Sequence, residues 1–217
     1  EHIDERDLLE TAIAKLAGNK VELKYRGRST RRKWVELAEN TARQNLNSRI
    51  ASRQNVLQRF ESLQVLLGLD ELPERLECFD ISHSSGEATV ASCVVFDGNG
   101  PLKSDYRRMN IEGITAADDY AAMRQALTRR YKRIASGEVP RPDVLFIDGG
   151  KGQLNQALEV LGELEISDLL VVGVAKGADR RAGLEVLIRG DDGREISLPD
   201  NSPALHLIQH IRDESHR

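Results

Sequence analysis

The sequence predicts a mixed α/β sheet flanked by helices and preceded by a mainly helical segment. Residues 76–96 contain two strand-like runs joined by a Gly-containing turn, and the second run is rich in Val. Two apolar runs, residues 144–147 and 169–175, lie on either side of a helical pattern, which is typical of buried parallel strands. Residues 34–67 repeat apolar side chains at three- or four-residue steps without Pro or Gly, which indicates one long helix.

The first 69 residues are predicted to form a segment of their own. Residues 4–17 have helical spacing that stops at Gly18, residues 20–25 alternate like a short strand, and residues 26–33 form a basic loop. The long helix then ends near Gly68. We therefore expect a boundary between residues 1–69 and residues 70–217.

The remaining residues supply the sheet. Strands are predicted over residues 76–82, 89–96, 104–110, 144–147, 169–175, 185–189 and 195–198. Helices are predicted over residues 118–135, 152–164 and 203–216. Hairpin turns make the first three strands an antiparallel meander. This is also the order of the ribonuclease H-like fold, in which the first strand and the strand after the first helix are neighbours.

Composition excludes some functional classes. The chain has 217 residues, 40% of them hydrophobic, which is enough for one sizeable core. No apolar run approaches the roughly 20 residues of a membrane span, and the acidic start lacks the apolar stretch of a signal peptide. Two cysteines, Cys78 and Cys93, lie on predicted neighbouring strands. Two buried free thiols in a cytoplasmic protein are the expected arrangement, and a disulfide is the alternative.

Charge is distributed unevenly along the chain. The formal net charge is −4, which by itself argues weakly against nucleic acid. Residues 19–54 nevertheless contain ten Lys or Arg and three acids, a usable footprint for phosphates. A solvated surface explains the same charges equally well. The candidate DNA-binding residues are Arg28, Arg31, Arg32, Lys33 and, from a later segment, Lys151.

Two aspartates stand within or directly after predicted strands. Asp80 is surrounded by apolar neighbours, and a buried carboxylate requires a cation, a donor or an opening to solvent. Asp148 follows the apolar strand 144–147. Neighbouring strands would bring both to one Mg²⁺ or Mn²⁺ ion, since such ions take one or two protein carboxylates. Alternatively, Asp80 pairs with an arginine, and Asp148 is a turn or cap residue.

The run DGGKGQ at residues 148–153 adds glycines and Lys151 at a helix start, which suits a phosphate backbone. It lacks the spacing and the following Ser or Thr of a phosphate-binding loop of the Walker type.

Several further polar residues have two interpretations. His206, His210 and Asp213 share a helical face that superficially resembles a metal site, although an exposed polar face is preferred. His216 lies on another flank, and spacing alone does not choose among these histidines. Asp118 and Asp119 open a helix, where only one of them can act as the cap.

The motifs together resemble one known family. ECFDISH at 77–83, TVASCVVFDGNGP at 89–101, YRRMNIEGIT at 106–115, DDYAAM at 118–123, FIDGGKGQL at 146–154 and HIRDESHR at 210–217 resemble the UvrC family, whose members are nuclease subunits of bacterial excision repair. The resemblance covers nearly all of residues 70–217. It implies a ribonuclease H-like endonuclease that depends on Mg²⁺ or Mn²⁺ and makes the 5′ incision beside damaged bases.

The same resemblance implies residue roles and partners. Asp80 and Asp148 become the metal-binding catalytic aspartates, Asp119 a further catalytic aspartate, and His216 the catalytic histidine. Damaged double-stranded DNA and UvrB, with UvrA acting upstream, become the expected partners in the cytoplasm. Two alternatives stay open: a nuclease acting on RNA or junctions, and a DNA- or protein-binding module with an inactive site.

Overall fold

The computed structural model describes residues 5–24, 30–84, 88–115, 118–176 and 185–217. The chain forms two compact units, Glu1–Ser52 and Arg53–Arg217. The division falls within the long helix, whereas the boundary predicted between residues 69 and 70 stays a prediction of domain organisation.

Two helices dominate the N-terminal part of the chain. Helix α1 spans Arg6–Ala17, and helix α2 spans Thr30–Leu67; Gly18 ends α1 with a left-handed backbone (φ 69°) that glycine adopts readily. The strand predicted over residues 20–25 is not found in residues 20–24, and Tyr25 lies outside the described residues. The amide of Leu23 donates instead to Glu10 of α1 at 2.8 Å.

The second unit contains one mixed sheet, which has eight strands in the described residues. The strands are β1 (Arg75–Ser84), β2 (Ala88–Asp97), β3 (Gly100–Pro101), β4 (Arg107–Ile111), β5 (Val144–Ile147), β6 (Leu170–Lys176), β7 (Glu185–Arg189) and β8 (Glu195–Ser197). Their order is β3-β2-β1-β5-β6-β7-β8, and β4 pairs with β2 on the side away from β1. The predicted mixed α/β fold is confirmed, including the meander and the parallel β1–β5 pair.

The third predicted strand is shorter than expected. Residues 104–110 were expected to be extended, yet Lys103–Asp105 form a 3₁₀ turn and β4 begins at Arg107. The amide of Leu102 donates to Val95, so the chain remains attached to β2 before the turn. The turn redirects it to a second pairing with the same strand.

Helices cover both faces of the sheet. Helix α3 (Asp119–Ala135) and helix α4 (Lys151–Glu163) pack on one face, where Phe79, Leu127 and Leu145 belong to a continuous apolar core. Helix α5 (Pro203–Ser215) and the last turns of α2 cover the other face with a second core. Each fully buried Leu or Phe contributes roughly 1.5–3 kcal/mol, so both faces of the sheet are firmly anchored.

Strand alternation decides which face each side chain of β1 reaches. Cys78 belongs to the core under α5, whereas Phe79 belongs to the core under α3. Asp80 therefore shares the α5 face with Cys78. Among the described residues, no helix is long and apolar enough to cross a membrane.

Candidate metal centre

Strands β1 and β5 bring the two predicted aspartates side by side. The strands run parallel with Phe79 opposite Ile147, and the amide of Asp148 donates to the carbonyl of Phe79 at 2.9 Å. Asp80 and Asp148 therefore follow directly after the last paired residues of adjacent strands. The predicted proximity of two acids that lie far apart in sequence is confirmed.

His216 completes a three-residue cluster with these aspartates. Its Nε2 lies 2.6 Å from Asp148 Oδ2 and 3.8 Å from Asp80 Oδ1. One potential ligand atom from each of the three residues lies within 4.8 Å of the others. The aspartate side chains are 11% and 7% exposed and the imidazole 45%, so the cluster opens to solvent on the histidine side.

The end of helix α5 positions His216. Ser92 on β2 donates its hydroxyl to the carbonyl of Ser215 at 2.7 Å, and the Ser215 hydroxyl donates to the carbonyl of Arg212 at 2.8 Å. The His216 amide also donates to Arg212, at 3.0 Å. These bonds attach the final turn of α5 to the sheet beside the aspartates.

Arg212 is a site residue that sequence reasoning missed. Its Nε donates to Asp148 Oδ1 at 3.0 Å, and its Nη1 donates to Glu185 Oε1 at 3.1 Å. The guanidinium is 9% exposed and Glu185 is 4% exposed, so it holds two buried carboxylates. The one available signal was its position four residues before His216 near the end of α5. Its partners lie directly after β5 and at the start of β7, so no local sequence pattern reveals them.

Burial dominates the electrostatics of Asp80. It raises the pKa of the Asp80 carboxyl; His216 lowers this pKa and Asp148 raises it again. Among the described residues, the recorded ion-pair contact of Asp80 is with His216. The alternative of a direct Asp80–arginine pair is thus not observed, and a further cation would relieve the repulsion between the two acids.

Asp118 and Asp119 have different contacts. Asp118 caps α3, since its Oδ1 accepts from the amide of Ala121 at 3.0 Å. Asp119 Oδ1 lies 2.5 Å from Nε2 of His83, and Nδ1 of His83 lies 3.0 Å from the Thr89 hydroxyl. Asp119 does not belong to the three-residue candidate metal cluster found among the described residues, so its catalytic role stays a prediction.

Two of the basic candidates form exposed ion pairs within their own part of the chain. Lys151 Nζ lies 2.8 Å from Glu195 Oε1, and Arg32 Nε lies 2.9 Å from Glu36 Oε1. Lys33 is exposed on α2. Arg28 and the side chain of Arg31 lie outside the described residues. Both observed pairs are exposed, so each stabilises the fold by about 1 kcal/mol at most. The Lys151 and Arg32 side chains therefore stay accessible to a phosphate group.

The exposed polar face expected for His206 and His210 is confirmed at His206 and wrong for His210, which is half-buried. His206 is exposed, and the ring of His210 packs edge-on against Phe96 at a centroid distance of 5.1 Å. Burial lowers the pKa of His210. Cys78 and Cys93 are buried free thiols, as predicted, and they belong to cores on opposite faces of the sheet.

Family models match both parts of the chain. A model described as the UvrC RNAse H endonuclease domain matches residues 64–217. A second, described as the UvrC Ribonuclease H-like domain, matches residues 1–49.

Curated relatives match along almost the whole chain. UvrABC system protein C of Pseudomonas putida (strain W619) is 61% identical over 206 residues, covering 95% of this chain and 34% of that protein. UvrABC system protein C of Ectopseudomonas mendocina (strain ymp) is 59% identical over 217 residues, covering 100% of this chain and 36% of that protein. The chain thus spans about a third of the length of the curated relatives it matches.

Solved structures match much more distantly. Human ENDOV gives a TM-score of 0.39 at 14% identity, covering 78% of this chain and 94% of that chain. Endonuclease V of Bacillus subtilis gives a TM-score of 0.38 at 12% identity, covering 66% and 79%.

Proposed function

This chain belongs to the UvrC family, and from that premise we propose that it forms a divalent-metal-dependent DNA endonuclease domain. The proposed reaction is phosphodiester hydrolysis that makes the 5′ incision beside damaged bases in bacterial nucleotide excision repair. The proposed partners are damaged double-stranded DNA and UvrB, with UvrA acting earlier, and the proposed location is the cytoplasm.

The observation that carries this proposal is the convergence of Asp80, Asp148 and His216 within 4.8 Å. Two carboxylates are the hard oxygen donors that Mg²⁺ and Mn²⁺ prefer, and an imidazole suits Mn²⁺ as a third donor. The partly exposed imidazole edge leaves room for water and a phosphate group. The donor set therefore fits a divalent ion, held by Asp80 and Asp148 with His216 as a ligand or base.

Residues around the proposed ion would have separate roles in the reaction. A bound divalent ion would acidify water and neutralise charge on the phosphate. Arg212 fixes the orientation of Asp148 through its Nε donor, and the last turn of α5 holds His216 at the open side of the cluster. In the role of base, the imidazole at that position would accept a proton from an attacking water.

Asp119 is proposed to support the site through His83. Their contact lies at the start of α3 and the end of β1, the strand that also carries Asp80. Asp118 is used as the cap of α3, whereas Asp119 contacts a residue of β1 and can therefore support the site. Arg28, Arg31, Arg32, Lys33 and Lys151 are proposed as backbone-phosphate contacts that read no sequence.

A cleavage assay tests the proposed function. This chain, alone and with UvrA and UvrB, is incubated with Mg²⁺ or Mn²⁺ and an end-labelled duplex that carries one lesion. We expect metal-dependent cutting on the 5′ side of the lesion, and its loss in Asp80→Asn but not in the matched control Asp200→Asn, whose side chain is exposed. Cutting that survives Asp80→Asn would contradict the catalytic role, and preferential cutting of an RNA–DNA hybrid would favour the alternative substrate.

A further inference from the structure

A cleft adjoins the metal centre between the end of α5 and strands β2 and β4. Its volume is about 380 Å³, and its lining includes Ser92, Tyr106, Arg108, Glu214, His216 and Arg217. His216 therefore belongs to both the carboxylate cluster and the cleft. Anything bound in the cleft lies next to the proposed reaction site.

The register of the sheet places Arg108 in line with Asp80. Asp80 pairs with Ser92, and Ser92 pairs with Arg108 on its other side. Directly paired residues of adjacent strands point to the same face, and Ser92 contacts α5 on that face. Two strand spacings separate Arg108 from Asp80, roughly 10 Å at the Cα positions, or about three base steps along a duplex.

The cleft is locally positive although the chain carries a net charge of −4. Arg107, Arg108 and Arg217 line it together with one acid, Glu214. The Glu214 carboxylate is 7% exposed and already accepts from Tyr106 and Arg217. The acid is thereby neutralised, and the surplus charge favours an anionic occupant.

Arg108 and its neighbour Arg107 differ in how they are used. Arg107 donates to the carbonyls of Ser104 and Tyr106 at 2.9 and 2.7 Å, so it supports the turn before β4. Within the described part of the chain, no hydrogen bond or ion pair is recorded for the exposed side chain of Arg108. Its donors are therefore available to a ligand.

A simpler explanation is protection of a sheet edge. β4 pairs only with β2 among the described strands, and exposed charges on an edge strand prevent pairing between molecules. This explanation requires a charge anywhere along the edge. It does not account for Arg108 sharing one row and one cleft with the proposed reaction site.

We propose that this cleft binds the phosphodiester backbone of the cleaved strand beside the scissile phosphate, and that Arg108 contacts a phosphate there. The proposal rests on the proposed nuclease function and adds the path that the cleaved strand follows over the protein. The strand leaves the metal centre across β2 towards β4. Arg108 positions the substrate and is not one of the proposed metal ligands, so its substitution leaves those ligands in place.

The test measures binding separately from cleavage. The chain is titrated into a fluorescein-labelled 30-base-pair duplex in Ca²⁺ over a series of NaCl concentrations. Loss of one phosphate contact lowers the salt slope by about 1 and weakens binding about fivefold to tenfold at 0.1 M salt. We expect this of Arg108→Ala. Arg108→Lys, which keeps the charge, should stay within about twofold of the unmodified chain because phosphate is also bound by a point charge.

Arg133→Ala is the matched control. It removes one exposed arginine paired with Glu138 near the end of α3 and should leave the salt slope unchanged. Equal effects of Arg108→Ala and Arg133→Ala would overturn the proposal, because net charge alone would then explain binding. Unchanged DNA affinity together with new self-association of Arg108→Ala would overturn it in favour of edge protection.

The two proposals fail in different ways. If the unmodified chain cuts DNA and Arg108→Ala binds it normally, the cleft assignment is wrong and the nuclease function stands. If the unmodified chain neither binds nor cuts DNA in the presence of UvrA, UvrB and Mn²⁺, both are wrong.

Discussion

Asp80 is held at a strand position where its charge is poorly solvated. Its side chain is 11% exposed and lies beside a second carboxylate, and burial raises its pKa. Such an arrangement disfavours the ionised form in the absence of a cation. The residue thus combines a proposed catalytic role with a stability penalty in the metal-free protein.

Asp80→Asn should stabilise the metal-free chain at neutral pH while abolishing metal-dependent cleavage. A raised folded-state pKa means that the wild-type carboxyl costs stability above that pKa and that this cost disappears as the pH falls towards the unfolded-state value. We expect Tm at pH 7.5 to rise by about 3 °C, the shift produced by ~1 kcal/mol in a domain of this size. The difference between the two proteins should shrink as the pH falls to about 4.

Scanning calorimetry at several pH values in EDTA measures this effect, and Asp200→Asn serves as the exposed control. A lower Tm for Asp80→Asn at every pH would contradict the electrostatic account of the site.

Arg212 joins two buried carboxylates, and its loss should be severe. Arg212→Met leaves Asp148 and Glu185 without this donor, and removing one partner of a buried ion pair costs about 3–5 kcal/mol. Urea unfolding measures the loss. The control Arg124→Met breaks an exposed pair with Glu163 and should cost far less than Arg212→Met; equal losses would show that Arg212 is no more important than a surface arginine.

For single residues, the sequence predicted which side chains could bind a metal better than it predicted their tertiary partners. Asp80 was predictable because an acid within an apolar strand needs a partner. His216 was not selected by spacing, since His206 and His210 share its helix, and the choice came from the family resemblance. The Arg212 contacts were unpredictable because they join β5, β7 and α5 through tertiary packing alone.

The start of α3 separates a structural acid from a proposed functional one. Asp118→Ala removes the side-chain cap from the Ala121 amide and should destabilise the chain by about 1 kcal/mol while cleavage continues. Asp119→Ala removes the contact with His83 and should reduce cleavage at least tenfold, which corresponds to a barrier raised by about 1.4 kcal/mol or more. Its stability should change less than that of Asp118→Ala.

Chemical denaturation and the cleavage assay, applied to both variants, check these expectations. The reverse pattern, with activity lost in Asp118→Ala and kept in Asp119→Ala, would refute the division of roles.

Most elements of the sheet were predictable because their patterns are local. The apolar strands β5 and β6 and the long helix α2 follow directly from hydrophobic runs and periodicity. The strand expected over residues 20–25 was wrong for residues 20–24, because alternation in a short segment does not supply a neighbouring strand. The 3₁₀ turn at Lys103–Asp105 was missed because it depends on the attachment of Leu102 to Val95.

Across the molecule, a buried ionic network lies on the sheet face opposite the candidate metal centre. Glu77 is fully buried and contacts Arg130 of α3 and Arg75 of β1, and Arg75 also holds Asp105 at 2.8 Å. The network connects β1, α3 and the turn before β4. It ties the strand that carries Asp80 to the surrounding elements.

Acid should weaken the whole fold partly through Asp105. The hydrogen bond from Arg75 lowers the pKa of the Asp105 carboxyl below its ordinary value of 3.8. Such a group contributes stability above its unfolded-state pKa and loses it as the pH falls through the lower folded-state pKa. At pH 7 the free energy of unfolding of Asp105→Asn should therefore be about 1 kcal/mol below that of the wild type, a difference kept small by partial exposure. On acidification below pH about 4 the wild type should lose more stability than the variant, so the difference should shrink.

Urea unfolding between pH 2 and 7 tests this expectation against Asp200→Asn. Parallel stability curves for wild type and Asp105→Asn would exclude the Arg75–Asp105 contact as a source of acid sensitivity.

Two distant aspartates and one histidine are proposed to bind a single divalent ion. Crystals of this chain soaked in Mn²⁺ test it most directly, by anomalous density at the metal absorption edge. We expect one ion in contact with carboxylate oxygens of both Asp80 and Asp148 at about 2.2 Å, with His216 in its coordination sphere or bonded to a bound water. Density that contacts only one of the aspartates, or none of the three residues at saturating Mn²⁺, would contradict it.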